Sequence, residues 1–116
     1  MNRWFSRFAV RENITDDELK ETVNALEAGQ VDANLGGGVY KMRLARSGEG
    51  KSGGYRVILF FRSQGKTFFY YAFPKSQRDN ISEKELRELK KVAKQYLALG
   101  DAELAQAVID RELIEI

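Results

Sequence analysis

The sequence contains no cysteine and no histidine, and these two absences exclude several kinds of chemistry. Without cysteine the chain cannot form a disulfide, a thiolate nucleophile or an iron–sulfur cluster. Without histidine as well, ordinary structural zinc sites and Ser-His-Asp or Cys-His catalysis are excluded. Any proton transfer would have to use Asp, Glu, Lys or Tyr. We therefore expect neither a metal site nor a cofactor.

Long apolar segments are also missing. No run approaches the roughly 20 apolar residues that a membrane-spanning helix needs, and Arg3, Arg7 and Arg11 interrupt any apolar core of a signal peptide. The 116 residues are 43% hydrophobic and 31% charged, a composition typical of one globular domain. We expect a single domain over residues 1–116 in the cytoplasm, with no membrane partner.

Charge is distributed unevenly along the chain, although the formal net charge is only +2. Residues 12–38 carry one lysine against seven acids, whereas residues 39–78 carry nine Lys or Arg against Glu49 alone. The middle third is thus a basic block with a net charge of +8. Such asymmetry favours a polyanionic partner. The alternative interpretation is a charged sheet face in contact with solvent.

The first 38 residues predict one strand, one helix and a loop. Residues 3–10 interleave aromatic and polar side chains and are predicted as a strand. Thr15 and Glu18 have the spacing of a capping box at the start of a helix, and Gly29 is a plausible end for it. Residues 32–38 are predicted as a loop that ends in three glycines.

Strand patterns dominate the middle of the chain, with predicted strands at residues 39–45, 55–62 and 67–73. In the first of them Lys41 and Arg43 share one face, because side chains alternate along a strand. We expect the last two strands to be antiparallel neighbours joined by a short hairpin loop.

Two helices are predicted after the strands. Ser82 and Glu85 form a second capping box, which opens a helix that Gly100 ends. A short helix should follow Asp101, and the apolar tail at residues 112–116 should dock as a strand or as an extended segment.

The segment at residues 45–52, ARSGEGKS, satisfies a loosened Walker A pattern. A phosphate-binding loop works because a helix begins directly after its lysine and directs its amides at the phosphate. Here Gly53 and Gly54 come next, followed by a β-branched and aromatic strand. The tip of a hairpin is therefore the favoured interpretation, and a nucleotide hydrolase is disfavoured.

Three segments resemble one bacterial family: DANLGGGVYK at 32–41, GEGKSGGYR at 48–56 and FPKSQRDNI at 73–81. They resemble the RelE/ParE-type toxins of type II toxin–antitoxin systems, in the HigB-like branch. The resemblance covers nearly the whole chain, and GKSGGYR is its most specific part. It implies an α+β fold with a small, mostly antiparallel twisted sheet of about four strands and helices packed on one side.

The resemblance also implies an activity and partners. The expected activity is that of an mRNA interferase, a hydrolase that cleaves mRNA on the ribosome and inhibits translation. The expected partner is a co-encoded antitoxin, usually a helix-turn-helix DNA-binding protein. We expect this antitoxin to cover the basic face and so to deny RNA its cations.

RNA cleavage by 2′-hydroxyl attack needs a proton acceptor, a proton donor for the leaving 5′-oxygen and positive charge near the phosphorane. Clustered Lys and Arg can supply all three without a metal, since neighbouring positive charges depress a lysine pKa while arginine stays charged. In the family, basic residues matching Lys41, Arg43 and Arg56 belong to the RNA-cleaving face. The catalytic candidates are these three and Lys75. The RNA-binding candidates are Arg46, Lys51, Tyr55 and Arg78.

Two other functions remain open. One is a gyrase-poisoning toxin of the ParE type, and the basic face made by Lys41, Arg43 and Arg56 favours RNA cleavage over it. The other is a degenerate family member that acts only as antitoxin partner or co-repressor. It stays open because residues 76–82 lack the tyrosine that relatives often carry there. If RNA is the substrate, Arg56→Ala should abolish toxicity and leave the fold intact.

Overall fold

Four helices and four strands make up the part of the chain that the structure describes. This structure is a computed structural model, and it describes residues 1–44, 54–62, 65–74 and 81–116. The elements are α1 (Arg3–Arg11), α2 (Asp16–Glu27), β1 (Ala33–Gly36), β2 (Val39–Leu44), β3 (Tyr55–Phe61), β4 (Thr67–Pro74), α3 (Glu83–Leu97) and α4 (Asp101–Ile109).

The strands form one four-stranded antiparallel sheet in the order β1-β2-β3-β4. Sequential strands are therefore neighbours, as the short connections require. Arg56 on β3 lies opposite Arg43 on β2, and Ala33 on β1 lies opposite Lys41. The predicted α+β class, the antiparallel sheet and the three predicted strands are confirmed.

Helices cover both faces of the sheet rather than one. Phe5 and Phe8 of α1 contact Phe69 and Tyr55 on the first face. On the second face Tyr96 of α3 packs edge-on against aromatic rings of β3 and β4. The reason lies in β3, whose first six residues are all buried and alternate between the two faces. A strand that is apolar on both sides needs a covering layer on each. We call these the α1 face and the α3 face.

The prediction of a strand at residues 3–10 is wrong, because this segment is α1. The side chain of Asn2 caps the helix by accepting a hydrogen bond from the Phe5 amide, at 2.7 Å. Phe5, Phe8 and Ala9 are buried at the i, i+3, i+4 spacing of a helix. Trp4 stacks on Tyr71 with 4.7 Å between ring centroids, so α1 also shields the edge strand β4.

The prediction of a loop at residues 32–38 is also wrong, because β1 and a tight turn occupy most of it. Gly36, Gly37 and Gly38 all have positive φ, at 88°, 62° and 83°. Only glycine adopts this conformation readily, which is why three glycines reverse the chain here. At Gly38 a Cβ would lie 2.5 Å from Leu97 Cδ1, so the missing side chain also allows α3 to approach the turn.

The helix ends follow the predicted signals. Both capping boxes form, at Thr15 for α2 and at Ser82 for α3. Gly29, with φ at 81°, ends α2. The C-terminal tail docks as predicted: Leu113 forms a β-bridge with Asn2. This bridge ties the tail to Asn2, the residue that caps α1.

Candidate functional site: a cation cluster on the sheet

Three cationic side chains lie together on the α3 face of the sheet. Lys41 and Arg43 stand two residues apart on β2, and Arg56 stands on β3 directly opposite Arg43. Because side chains alternate along each strand, all three point to the same face. The register thus brings together three of the four catalytic candidates. The fourth, Lys75, lies outside the described residues.

Among the described residues, the carboxylate of Asp32 joins the three cations. Its Oδ1 accepts a hydrogen bond from Arg43 Nε at 3.2 Å. Its Oδ2 lies 3.6 Å from Lys41 Nζ and 3.7 Å from Arg56 Nε. Asp32 directly precedes β1, and the pairing of Ala33 with Lys41 holds it beside β2. In the described part of the chain, three positive charges thus surround the carboxylate of Asp32.

Burial differs sharply among these side chains. The side chain of Arg56 is 3% exposed and that of Lys41 is 11% exposed, whereas that of Arg43 is 53% exposed. Arg43 is thus the cation of the three that a ligand from solvent reaches directly. Arg56 is a core residue of β3, so its replacement by alanine removes a buried charge as well as a potential contact. This geometry does not favour the expectation that Arg56→Ala leaves the fold intact.

Tyr55 lies away from the cluster. It is 2% exposed on the α1 face, where its ring meets Phe8 edge-on and its hydroxyl donates a hydrogen bond to Glu12. A ring buried in this way is not available to stack on a base, so core packing accounts for Tyr55 and we leave it out of the site. The remaining RNA-binding candidates lie outside the described residues: Arg46, Lys51 and Arg78.

The described cations of the basic block at residues 39–78 fall into two separate groups. Arg62 and Lys66 lie beyond the other end of β3, six or more residues from Arg56, which is about 20 Å along a strand. Lys66 Nζ is 2.7 Å from Asp101 Oδ1, and this hydrogen bond holds the pKa of the Asp101 carboxyl below its usual value. The cations of the block that the structure describes are therefore divided between the two ends of the sheet.

Within the described residues no group of three or more acidic side chains is arranged to hold a metal ion. The same part of the chain contains no helix long and apolar enough to cross a membrane. A groove of about 590 Å³ lies between α2, the β3–β4 turn and the C-terminal tail, and Lys41, Arg43 and Arg56 do not line it. This groove is therefore separate from the cation cluster.

A family model described as "RelE toxin of RelE / RelB toxin-antitoxin system" matches residues 1–116. The chain belongs to the RelE toxin family. Searches of curated proteins and of solved structures find no significant match. As a RelE-family toxin, it is the toxin of a toxin–antitoxin system and pairs with an antitoxin. The family resemblance of its three motif segments is thereby confirmed, while the HigB-like branch stays a prediction.

Asp32 is the member of the site that sequence reasoning missed in this RelE-family toxin. A signal was present: Asp32 is the single acid between Glu27 and Glu49, and the basic block begins just after it. Its partners become visible only once β1 pairs with β2, because the three cations come from positions 41, 43 and 56.

Proposed function

We propose that this RelE-family toxin is a metal-independent endoribonuclease that cleaves mRNA on the ribosome and thereby inhibits translation. The observation that supports this most strongly is the cluster of Lys41, Arg43 and Arg56 on one sheet face. Fixed positive charge at a phosphate is what stabilises a phosphorane, and preorganised charges of this kind contribute more than any other single effect in many enzymes.

The proposed reaction is an internal transesterification. The 2′-oxygen attacks the adjacent phosphorus, the bond from phosphorus to the 5′-oxygen breaks, and the products are a 2′,3′-cyclic phosphate and a 5′-hydroxyl. The 2′-hydroxyl proton goes to a base, and the leaving 5′-oxygen takes up a proton. No oxidant, metal or water molecule is consumed in this step.

Each cation has a distinct proposed role. Arg43 is the exposed member and contacts the scissile phosphate, where its guanidinium can bind two oxygens at once. Lys41 takes the 2′-hydroxyl proton and passes it to the leaving 5′-oxygen, a role that arginine cannot fill because it does not give up its proton in proteins. Arg56 is buried and sets the positive potential under the phosphate. Lys75, Arg46, Lys51 and Arg78 remain proposed contributors to catalysis or RNA binding.

The proposed antitoxin is a helix-turn-helix DNA-binding protein that covers the cluster. Arg43 is 53% exposed and accessible to an acidic segment of such a partner. An antitoxin bound there would exclude the scissile phosphate without changing the fold. Electrostatic steering would make its association fast and sensitive to salt.

The experiment is primer extension on a reporter mRNA after induction of the toxin, with Arg43→Gln as the test variant. We expect discrete new 5′ ends with the parent protein and a rate lower by roughly 100–1,000-fold for Arg43→Gln, as for loss of one transition-state contact. The matched control is Arg11→Gln, which removes an exposed arginine from α1 on the other face of the sheet. It should cleave like the parent.

Other outcomes would support the two alternative functions. Double-strand DNA breaks trapped with gyrase, without new mRNA ends, would indicate a gyrase poison and contradict the proposal. Antitoxin binding with neither kind of damage would indicate a degenerate toxin that acts only as a partner. Equal cleavage rates of the parent and Arg43→Gln would show that Arg43 does not contact the scissile phosphate in the transition state.

A further inference from the structure

Asp32 is a negative charge at the centre of a surface proposed to bind a polyanion. Its carboxylate is within 3.7 Å of a nitrogen on each of the three cations. An acid in this place opposes RNA binding, since it repels the incoming phosphate. The position of Asp32 therefore cannot be explained by a contribution to the affinity for RNA.

We infer that Asp32 is a positioning residue for RNA cleavage, one that fixes Lys41, Arg43 and Arg56 as a rigid array while weakening the binding of RNA. This inference rests on the proposed function. Asp32 itself does not touch the reacting atoms. It acts through the three cations, and its contribution is to hold them where the phosphorane forms.

The need for such a residue follows from the register of β2 and β3. Arg43 and Arg56 are direct cross-strand partners, and like charges in that relation repel each other. Lys41 adds a third positive charge on the same face, two residues from Arg43. The carboxylate of Asp32 lies among these side chains and offsets part of their mutual repulsion. The two oxygens of Asp32 divide the set, with Oδ1 facing Arg43 and Oδ2 facing the other two.

The backbone around Asp32 is itself firmly placed. Ala33, the next residue, pairs with Lys41 in the sheet, so one cation and the carboxylate are set by the same strand pair. The turn at Gly36–Gly38 fixes how β1 returns to β2. The Asp32 side chain is only 16% exposed, which limits its motion further. A preorganised arrangement of charges avoids the reorganisation that would otherwise slow the reaction.

The test is to separate RNA binding from RNA cleavage in Asp32→Asn, a variant that keeps the size of the side chain. Binding is measured with a single-stranded RNA oligonucleotide whose 2′-hydroxyls are methylated, so that it cannot be cut. Cleavage is measured as a single-turnover rate on ribosome-bound mRNA. We expect binding to tighten about threefold, the effect of removing one charge about 6 Å from a phosphate in water, while the cleavage rate falls by about 100-fold.

The matched control is Asp101→Asn, which makes the same change in net charge in the exposed ion pair with Lys66, beyond the other end of β3. It should leave the cleavage rate unchanged. Asp32→Glu restores a carboxylate and should recover at least about tenfold of the rate lost in Asp32→Asn. The double variant Asp32→Asn/Arg43→Gln removes the repulsion between Arg43 and Arg56. It should therefore have a higher free energy of unfolding than Asp32→Asn alone, while its cleavage rate stays low.

Two results would overturn the inference. One is cleavage by Asp32→Asn at the parent rate. The other is a parallel fall in binding and cleavage that follows the folded fraction measured by circular dichroism, because a purely structural role would give that pattern. Failure of the parent protein itself to cut ribosome-bound mRNA would instead refute the proposed function, and the inference with it. A cutting parent with an equally active Asp32→Asn refutes the inference alone.

Discussion

Arg56→Ala should destabilise the fold far more than Arg43→Ala, although the two arginines are cross-strand partners and share the same carboxylate. Arg56 is 2% exposed overall and lies on the inner strand β3, with Asp32 Oδ2 at 3.7 Å from its Nε. Removing one partner of a buried ion pair costs about 3–5 kcal/mol, because the other charge loses its compensation. Asp32 keeps Lys41 and Arg43, so the lower end, about 3 kcal/mol, is the expected loss.

The same reasoning gives a small value for Arg43→Ala. Its side chain is 53% exposed, and an ion pair in contact with solvent contributes about 0–1 kcal/mol. Relief of the repulsion across the strands offsets part of even this loss. The assay is urea unfolding followed by circular dichroism, with both variants and the parent purified in the same way. The loss of about 3 kcal/mol for Arg56→Ala should also lower the melting temperature by about 10 °C.

Equal destabilisation by the two substitutions would refute this reasoning. It would mean that the buried ion pair of Arg56 contributes no more to the free energy of unfolding than the exposed ion pair of Arg43. Full stability of Arg56→Ala would be a stronger contradiction, and it would return Arg56 to the role expected from sequence, a contact for RNA with no part in the fold.

Three further predictions concern the rest of the molecule. Gly38→Ala should cost at least about 1 kcal/mol more than Gly29→Ala in urea unfolding, because both have positive φ but only Gly38 would force a Cβ against Leu97. Burial raises the pKa of Tyr96 above its ordinary value of 10.0, and Tyr70 raises it further, so the unfolded chain loses this proton first as the pH rises. The free energy of unfolding of the parent protein should therefore fall above about pH 10, and it should fall less steeply in Tyr96→Phe. Identical alkaline unfolding curves for the parent and Tyr96→Phe would contradict this. Calorimetry with magnesium and with zinc should detect no tight stoichiometric site; one such site would contradict metal-independent cleavage.

The strands β2, β3 and β4 and the helices α2 and α3 could be predicted because their signals are local. Alternation, β-branched residues and capping boxes depend on residues within one element. α1 differs from its predicted strand because the mixture of aromatic and polar residues at 3–10 does not alternate strictly: Trp4 and Phe5 are adjacent, and two polar residues separate Phe5 from Phe8. The buried set Phe5, Phe8 and Ala9 and the cap at Asn2 were the signals that indicated a helix.

The three cations of the site could be predicted from alternation along β2 and from the pairing of β2 with β3. Lys41 and Arg43 share a face by alternation alone, and Arg56 joins them through the expected pairing of neighbouring strands. The place of Asp32 in the site depends on the pairing of β1 with β2. The glycines at 36–38 led to the prediction of a loop there, so this pairing could not be foreseen. Tyr55 directly precedes Arg56 in β3, so alternation along the strand already places it on the opposite face from the cluster.

The most direct test of the central claim is cleavage of ribosome-bound mRNA that carries one 2′-deoxynucleotide at the position where the ribose form is cut. We expect the purified RelE-family toxin to cut the ribose mRNA, leaving a 2′,3′-cyclic phosphate, and to leave the deoxy position intact. Cutting of the deoxy position at the same rate would contradict attack by the 2′-oxygen. Failure to cut either mRNA would contradict the proposal that the protein is an endoribonuclease.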